Sequence, residues 1–138
     1  LTFPNKVYTL GQPVPEREDL TFGVETYGCL QWWMEEVLRG RREFDIIPFH
    51  VLWEHKKVMV SRLEYFERKG YLDPSPALSA RYREIEAKAS HLRLLMIRCR
   101  MKQDRKLLAR SLARVANLWK EETRALDGVL RAAGSARA

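Results

Sequence analysis

Few residues in this 138-residue chain have types and spacings that could carry chemistry. Cys29 and Cys99 are its two thiols. Cys29 falls near a helix start, where the helix dipole favours a thiolate, but no histidine stands at a spacing that pairs with it, so both cysteines are expected to be buried, reduced and structural. His50 and His55 are five apart, about 140 degrees around a helix axis, which sets them poorly for one metal ion. The string His50-Val51-Leu52-Trp53-Glu54-His55 also misses the zinc-hydrolase pattern of two histidines four apart with a glutamate between. His91, alone beside Leu92, reads as a packing residue. No metal site and no cofactor is expected, and no glycine-rich phosphate loop is present.

Two charges stand where the apolar pattern wants hydrophobes. Lys56 interrupts the stripe Phe49, Leu52, Trp53, Met59, Val60, Leu63, Phe66, and Glu122 interrupts Leu108, Leu112, Val115, Trp119, Leu126, Val129. A carboxylate in such a seam needs a cationic or hydrogen-bonding partner, which makes Lys56, His91 and Glu122 a candidate buried polar cluster. A functional carboxylate, a structural polar network and a frayed seam all fit this pattern.

The third feature is a run of cations. Residues 1 to 75 carry ten Lys and Arg against twelve Asp and Glu, whereas residues 76 to 138 carry fifteen against six. Arg93, Arg98, Arg100, Lys102, Arg105, Lys106, Arg110 and Arg114 form a basic cluster with Asp104 as its only acid. They are a candidate surface for an anion or an acidic partner, a solvated face being the bland alternative. Aromatic side chains for stacking on bases are missing from the cluster, which weakens a single-strand nucleic-acid reading.

These residues need elements to hold them, and the periodicity is helical. Residues 1 to 24, with Pro4, Gly11, Pro13, Pro15 and Gly23, read as an extended arm or linker, within which Lys6 to Leu10 could form a short strand. Tyr27, Leu30, Met34 and Val37 line one face of a first helix from about Glu25 to Arg39, ended by Gly40. Pro48 suits the first turn of a second helix that ends at Gly70. Ser75 and Pro76 suit the cap and first turn of a third, in which Leu78, Tyr82, Ile85, Ala89, Leu92, Met96 and Cys99 alternate steps of four and three. Continuing that phase would bury Gln103, Lys106 and Arg110, so a turn is expected near Lys102 to Asp104, with Asp104 capping a fourth helix that closes at Gly134. The fold expected is all-α: an antiparallel bundle of four main helices over residues 25 to 138, with an extended N-terminal arm.

Composition bounds the rest. At 46% hydrophobic and 31% charged, with 7 Gly and 6 Pro, the chain can bury one core and is not disordered. No apolar run approaches the roughly 20 residues of a membrane span, and Leu1-Thr2-Phe3-Pro4-Asn5 does not open a signal peptide, so a cytoplasmic protein is expected. The chain begins at Leu1 rather than Met, as a piece of a longer protein would.

The order Tyr27-Gly28-Cys29-Leu30, then Pro48-Phe49-His50-Val51-Leu52-Trp53-Glu54-His55, then helices around His91-Leu92-Arg93 and Lys120-Glu121-Glu122 resembles the C-terminal helical region of butirosin-type acyltransferases, which move acyl groups off carrier proteins. The resemblance spans about three quarters of the chain. It implies a non-catalytic domain of a larger acyl-transfer or biosynthetic enzyme, because that family's nucleophilic cysteine and histidine lie in an upstream α/β domain and do not map onto Cys29. It also implies partners: an upstream catalytic domain, and an acidic carrier protein at the basic hairpin. The alternatives are a basic nucleic-acid-binding or regulatory bundle, and a free-standing enzyme built on Lys56, His91 and Glu122. An apolar outer face on the first two helices would suit either a homodimer or a lost domain contact.

Overall fold

A computed structural model of the chain describes residues 25 to 137, so the arm over residues 1 to 24 and the strand within it lie outside the described residues. Four helices follow in order: α1 (Thr26–Leu38), α2 (Ile47–Arg68), α3 (Leu78–Lys102) and α4 (Arg105–Arg137). There is no strand among the described residues. The helices form an antiparallel bundle in which α4 packs against both α1 and α3, and α3 against α2.

The stops are local chemistry. Gly40 and Gly70 take φ of 76° and 82° just beyond α1 and α2, a left-handed conformation that costs glycine little. Pro48 sits in the first turn of α2, where its missing N–H breaks no bond. At the α3–α4 bend Gln103 is left-handed at φ 50°, and Asp104 Oδ1 accepts a hydrogen bond from Leu107 N at 3.0 Å, which caps α4.

The start of α3 differs from the sequence reading. The helix begins at Leu78, two residues beyond Pro76, after Ala77 in a left-handed conformation at φ 56°. Ser75 does not cap it; its N–H donates to Asp73 Oδ1 at 3.0 Å in a local turn. The cap comes from α2 instead: Glu67 accepts from Ser79 N at 3.2 Å and from Ser79 Oγ at 2.7 Å. A carboxylate arriving from another helix cannot be read from local spacing. The far end of α4 also differs, since the helix runs through Gly134 to Arg137, a lone glycine costing a helix only about 1 kcal/mol.

All seven of the regularly spaced residues from Leu78 to Cys99 are buried, as are Tyr27, Leu30, Met34 and Val37 on α1. On α4 the buried line is rotated from the expected one. Ser111, Leu118 and Ala125 are buried, whereas Leu112, Trp119 and Leu126 are half-buried. The cause is that α4 is gripped by α1 on one side and α3 on the other, so its covered arc is wider than a single seam. Ser111 is tolerated there because its hydroxyl donates to Leu107 O at 2.8 Å. Phe66, expected in the core, is 38% exposed and packs edge-on with Tyr65 and near Tyr71 at the end of α2.

Candidate functional site

Lys56 and Glu122 meet in the centre of the bundle. Lys56 Nζ lies 2.6 Å from one carboxylate oxygen of Glu122 and 2.8 Å from the other, with the two side chains 1% and 2% exposed. Each oxygen accepts a further bond: Tyr27 OH donates to Oε1 at 2.6 Å and Tyr82 OH to Oε2 at 3.0 Å. Lys56 Nζ also lies 2.8 Å from His55 Nδ1 and 5.5 Å from the centre of the Tyr27 ring. All four helices thus contribute to one network: Tyr27 from α1, His55 and Lys56 from α2, Tyr82 from α3 and Glu122 from α4.

The electrostatics follow from burial. Desolvation lowers the Lys56 pKa below the ordinary lysine value, and Glu122 works against that by favouring the ammonium form. Tyr27 and Tyr82 are pushed up, first by burial and then by the Glu122 charge, so both remain hydrogen-bond donors throughout the physiological range. His55 is exposed on its outer side, and its pKa is lowered by desolvation of the side facing the network and by the neighbouring ammonium. A neutral His55 with its proton on Nε2 leaves Nδ1 free to accept from Lys56.

His91 is not in this network. It lies on the exposed side of α3, one residue before the buried Leu92, so the structure joins two of the three residues read from the sequence and separates the third. Sequence reasoning passed over Tyr27, Tyr82 and His55. A buried tyrosine hydroxyl needs a partner. With a hairpin turning at Gln103, Tyr82 lies 21 residues before the turn and Glu122 19 after it, which already puts them at one level.

The thiols stay protonated. Cys99 is buried and its Sγ donates to Asp104 O at 3.2 Å, while burial raises its pKa. Cys29 is half-buried rather than buried, because it sits beside the Tyr27–Leu30–Met34 line and not on it. Burial, and then Glu25, raise its pKa too. Among the described residues, no three His, Cys, Asp or Glu side chains converge as a metal site would require.

The eight cations of the basic cluster divide into two groups. Arg93 is half-buried, with its guanidinium 4.1 Å from the centre of the Trp53 ring, which also has Lys57 Nζ at 4.2 Å and donates Nε1–H to Glu86 at 2.6 Å. Arg105 donates to Leu38 O at the C-terminal end of α1, the negative end of that dipole, which accounts for an arginine at the unfavourable start of α4. The other six, Arg98, Arg100, Lys102, Lys106, Arg110 and Arg114, are exposed, and none forms an ion pair with a described residue. Three cations away from the bend are paired, Arg83 with Glu64, Lys88 with Glu121 and Arg131 with Asp127, whereas Arg81, Lys120 and Arg124 form no ion pair with a described residue. Met101 stands in the same bend, 78% exposed.

Compared with family models, curated proteins and solved structures, the chain matches none of them. No helix among the described residues is long and apolar enough to cross a membrane.

Proposed function

We propose that this chain is a non-catalytic helical domain of a larger acyl-transfer or related biosynthetic enzyme, and that its α3–α4 bend docks an acidic partner, a carrier protein foremost. One observation carries the reading: six exposed cations cluster about the α3–α4 bend between Arg98 and Arg114, with Asp104 the only acid in that stretch, and none of them forms an ion pair with a described residue. A surface that merely needs solubility mixes its signs. One that leaves a single sign unpaired gathers a field able to steer an oppositely charged protein.

The network around Glu122 serves this role by fixing the bundle. It takes one or two residues from every helix, and removing any partner strands buried charge or polar groups, so it selects one register among the helices. Both thiols suit a reducing cytoplasm, in keeping with their free state. The exposed apolar row Ile47, Val51 and Val58 on α2 supplies a surface against which the rest of such an enzyme would pack.

The test is titration of an acidic acyl carrier protein and, separately, a short DNA duplex against the purified chain at low and moderate salt. The reading expects carrier-protein binding that weakens with salt and is abolished in the triple variant Arg98→Glu, Lys106→Glu, Arg110→Glu. Binding of the duplex alone would replace it with the nucleic-acid reading, since phosphate contacts carry a steep salt dependence. Binding of neither would end both.

A further inference from the structure

A second surface lies between α1 and α4. Gln31, Ala116, Trp119, Lys120, Thr123 and Arg124 line an open groove of about 430 Å³, within the size range of small-molecule sites. Trp119 is about 22 Å along α4 from Asp104 at the turn and about 8 Å from Arg114, the last cation of the basic cluster, at 1.5 Å of rise per residue.

Its central side chain is held rigidly. The Trp119 indole stacks on Tyr27 with ring centres 6.3 Å apart and planes inclined by 19°, and Tyr27 is itself fixed by its bond to Glu122. Gly28 lets the indole lie close to the α1 backbone, since a β-carbon there would stand 3.3 Å from Trp119 Cη2. Thr123 Oγ1 donates to Trp119 O at 2.8 Å, so the hydroxyl beside the groove is turned back on its own helix. Lys120 and Arg124, one turn apart and exposed, form no ion pair with a described residue.

We infer that this groove binds a flat aromatic ring carrying an anionic group, the ring against the Trp119 indole and the anion between Lys120 and Arg124. An indole offers a ring-shaped apolar surface that favours offset stacking. An open groove gives a flat ring a platform but does not enclose a long acyl chain. Two cations at its rim that no described residue neutralises select an anion over its neutral isostere. An aromatic carboxylate and the base and phosphate of a nucleotide share this chemistry.

The experiment follows the indole Nε1–H resonance of Trp119 by NMR, assigned from its disappearance in Trp119→Phe, while 1-naphthoate, AMP and the neutral 1-naphthalenemethanol are added to separate samples. The expected result is a saturable shift with at least one of the anions, weaker by about fivefold or more with the neutral alcohol and in the Lys120→Glu, Arg124→Glu variant. A shift with naphthoate alone marks a carboxylate site, and one with AMP a nucleotide site. The variant Arg98→Glu, Lys106→Glu leaves this shift intact, which separates the groove from the bend. An unmoved Trp119 resonance at millimolar concentrations of both anions, or equal binding of the alcohol, overturns the inference.

Discussion

Lys56 Nζ and Glu122 Oε1, 66 residues apart in sequence, face each other at 2.6 Å in the interior of the bundle, and two tyrosine hydroxyls complete the shell around the carboxylate. A buried pair of this kind is fragile to the loss of one member. Glu122→Leu leaves an ammonium and two hydroxyls without their acceptor, and unfolding in denaturant should register a loss of about 3–5 kcal/mol. The double variant Lys56→Met, Glu122→Leu should recover part of that loss, because it removes the stranded charge and leaves only neutral hydroxyls behind. A double variant no more stable than the single one would show that Lys56 is not held by the carboxylate.

The acid side of the stability profile should belong partly to His55. Its pKa is lowered in the folded chain, so below the ordinary histidine value near 6.5 the unfolded state binds the proton first. The stabilisation is therefore complete above that value and is lost as pH falls through the folded one. His55→Gln should flatten the decline between neutral pH and pH 5, measured as denaturation midpoints across a pH series.

The alkaline side should belong to the tyrosines. Tyr27 and Tyr82 have raised pKa values, so their contribution is intact below the ordinary tyrosine value near 10 and is lost as pH climbs beyond it. Ultraviolet titration should detect two tyrosines that ionise only as the bundle unfolds. Tyr82→Phe should reduce their number to one.

Two non-glycine residues, Ala77 and Gln103, hold left-handed conformations at the two ends of α3. That conformation costs an L-residue about 1–2 kcal/mol, part of which glycine gives back through its freer unfolded chain. Ala77→Gly and Gln103→Gly should each raise stability by up to about 1 kcal/mol, read from thermal or denaturant midpoints. No gain at Gln103 would mean that its side chain is supported by contacts at the bend.

Two caps should also differ in kind. Asp104→Ala removes the bond to Leu107 N and should cost about 0.5–2 kcal/mol, the usual range for a helix N-cap. Glu67→Ala removes the two bonds to Ser79 and should loosen the α2–α3 corner as well as the start of α3. Hydrogen exchange of the first-turn amides of α3 should accelerate in Glu67→Ala but not in Ser75→Ala.

The sequence by itself determined the helices and most of their inward faces. A 3.6-residue period over Leu78 to Cys99, a phase break before Asp104, and Gly40 and Gly70 as stops are local signals, fixed by steric and hydrogen-bonding rules within a few residues. Lys56 and Glu122 could be singled out for the same reason, since each breaks an otherwise apolar stripe. Only the tertiary structure decided which groups meet. His91 turns outward while Tyr27, Tyr82 and His55 join the pair; Glu67 caps a helix not its own; Arg105 is spent on the end of α1; and the six remaining cations of the bend form no ion pair with a described residue. A side chain's partner across the bundle depends on helix rotation and level, and a rotation of one residue, about 100 degrees, exchanges the core for solvent.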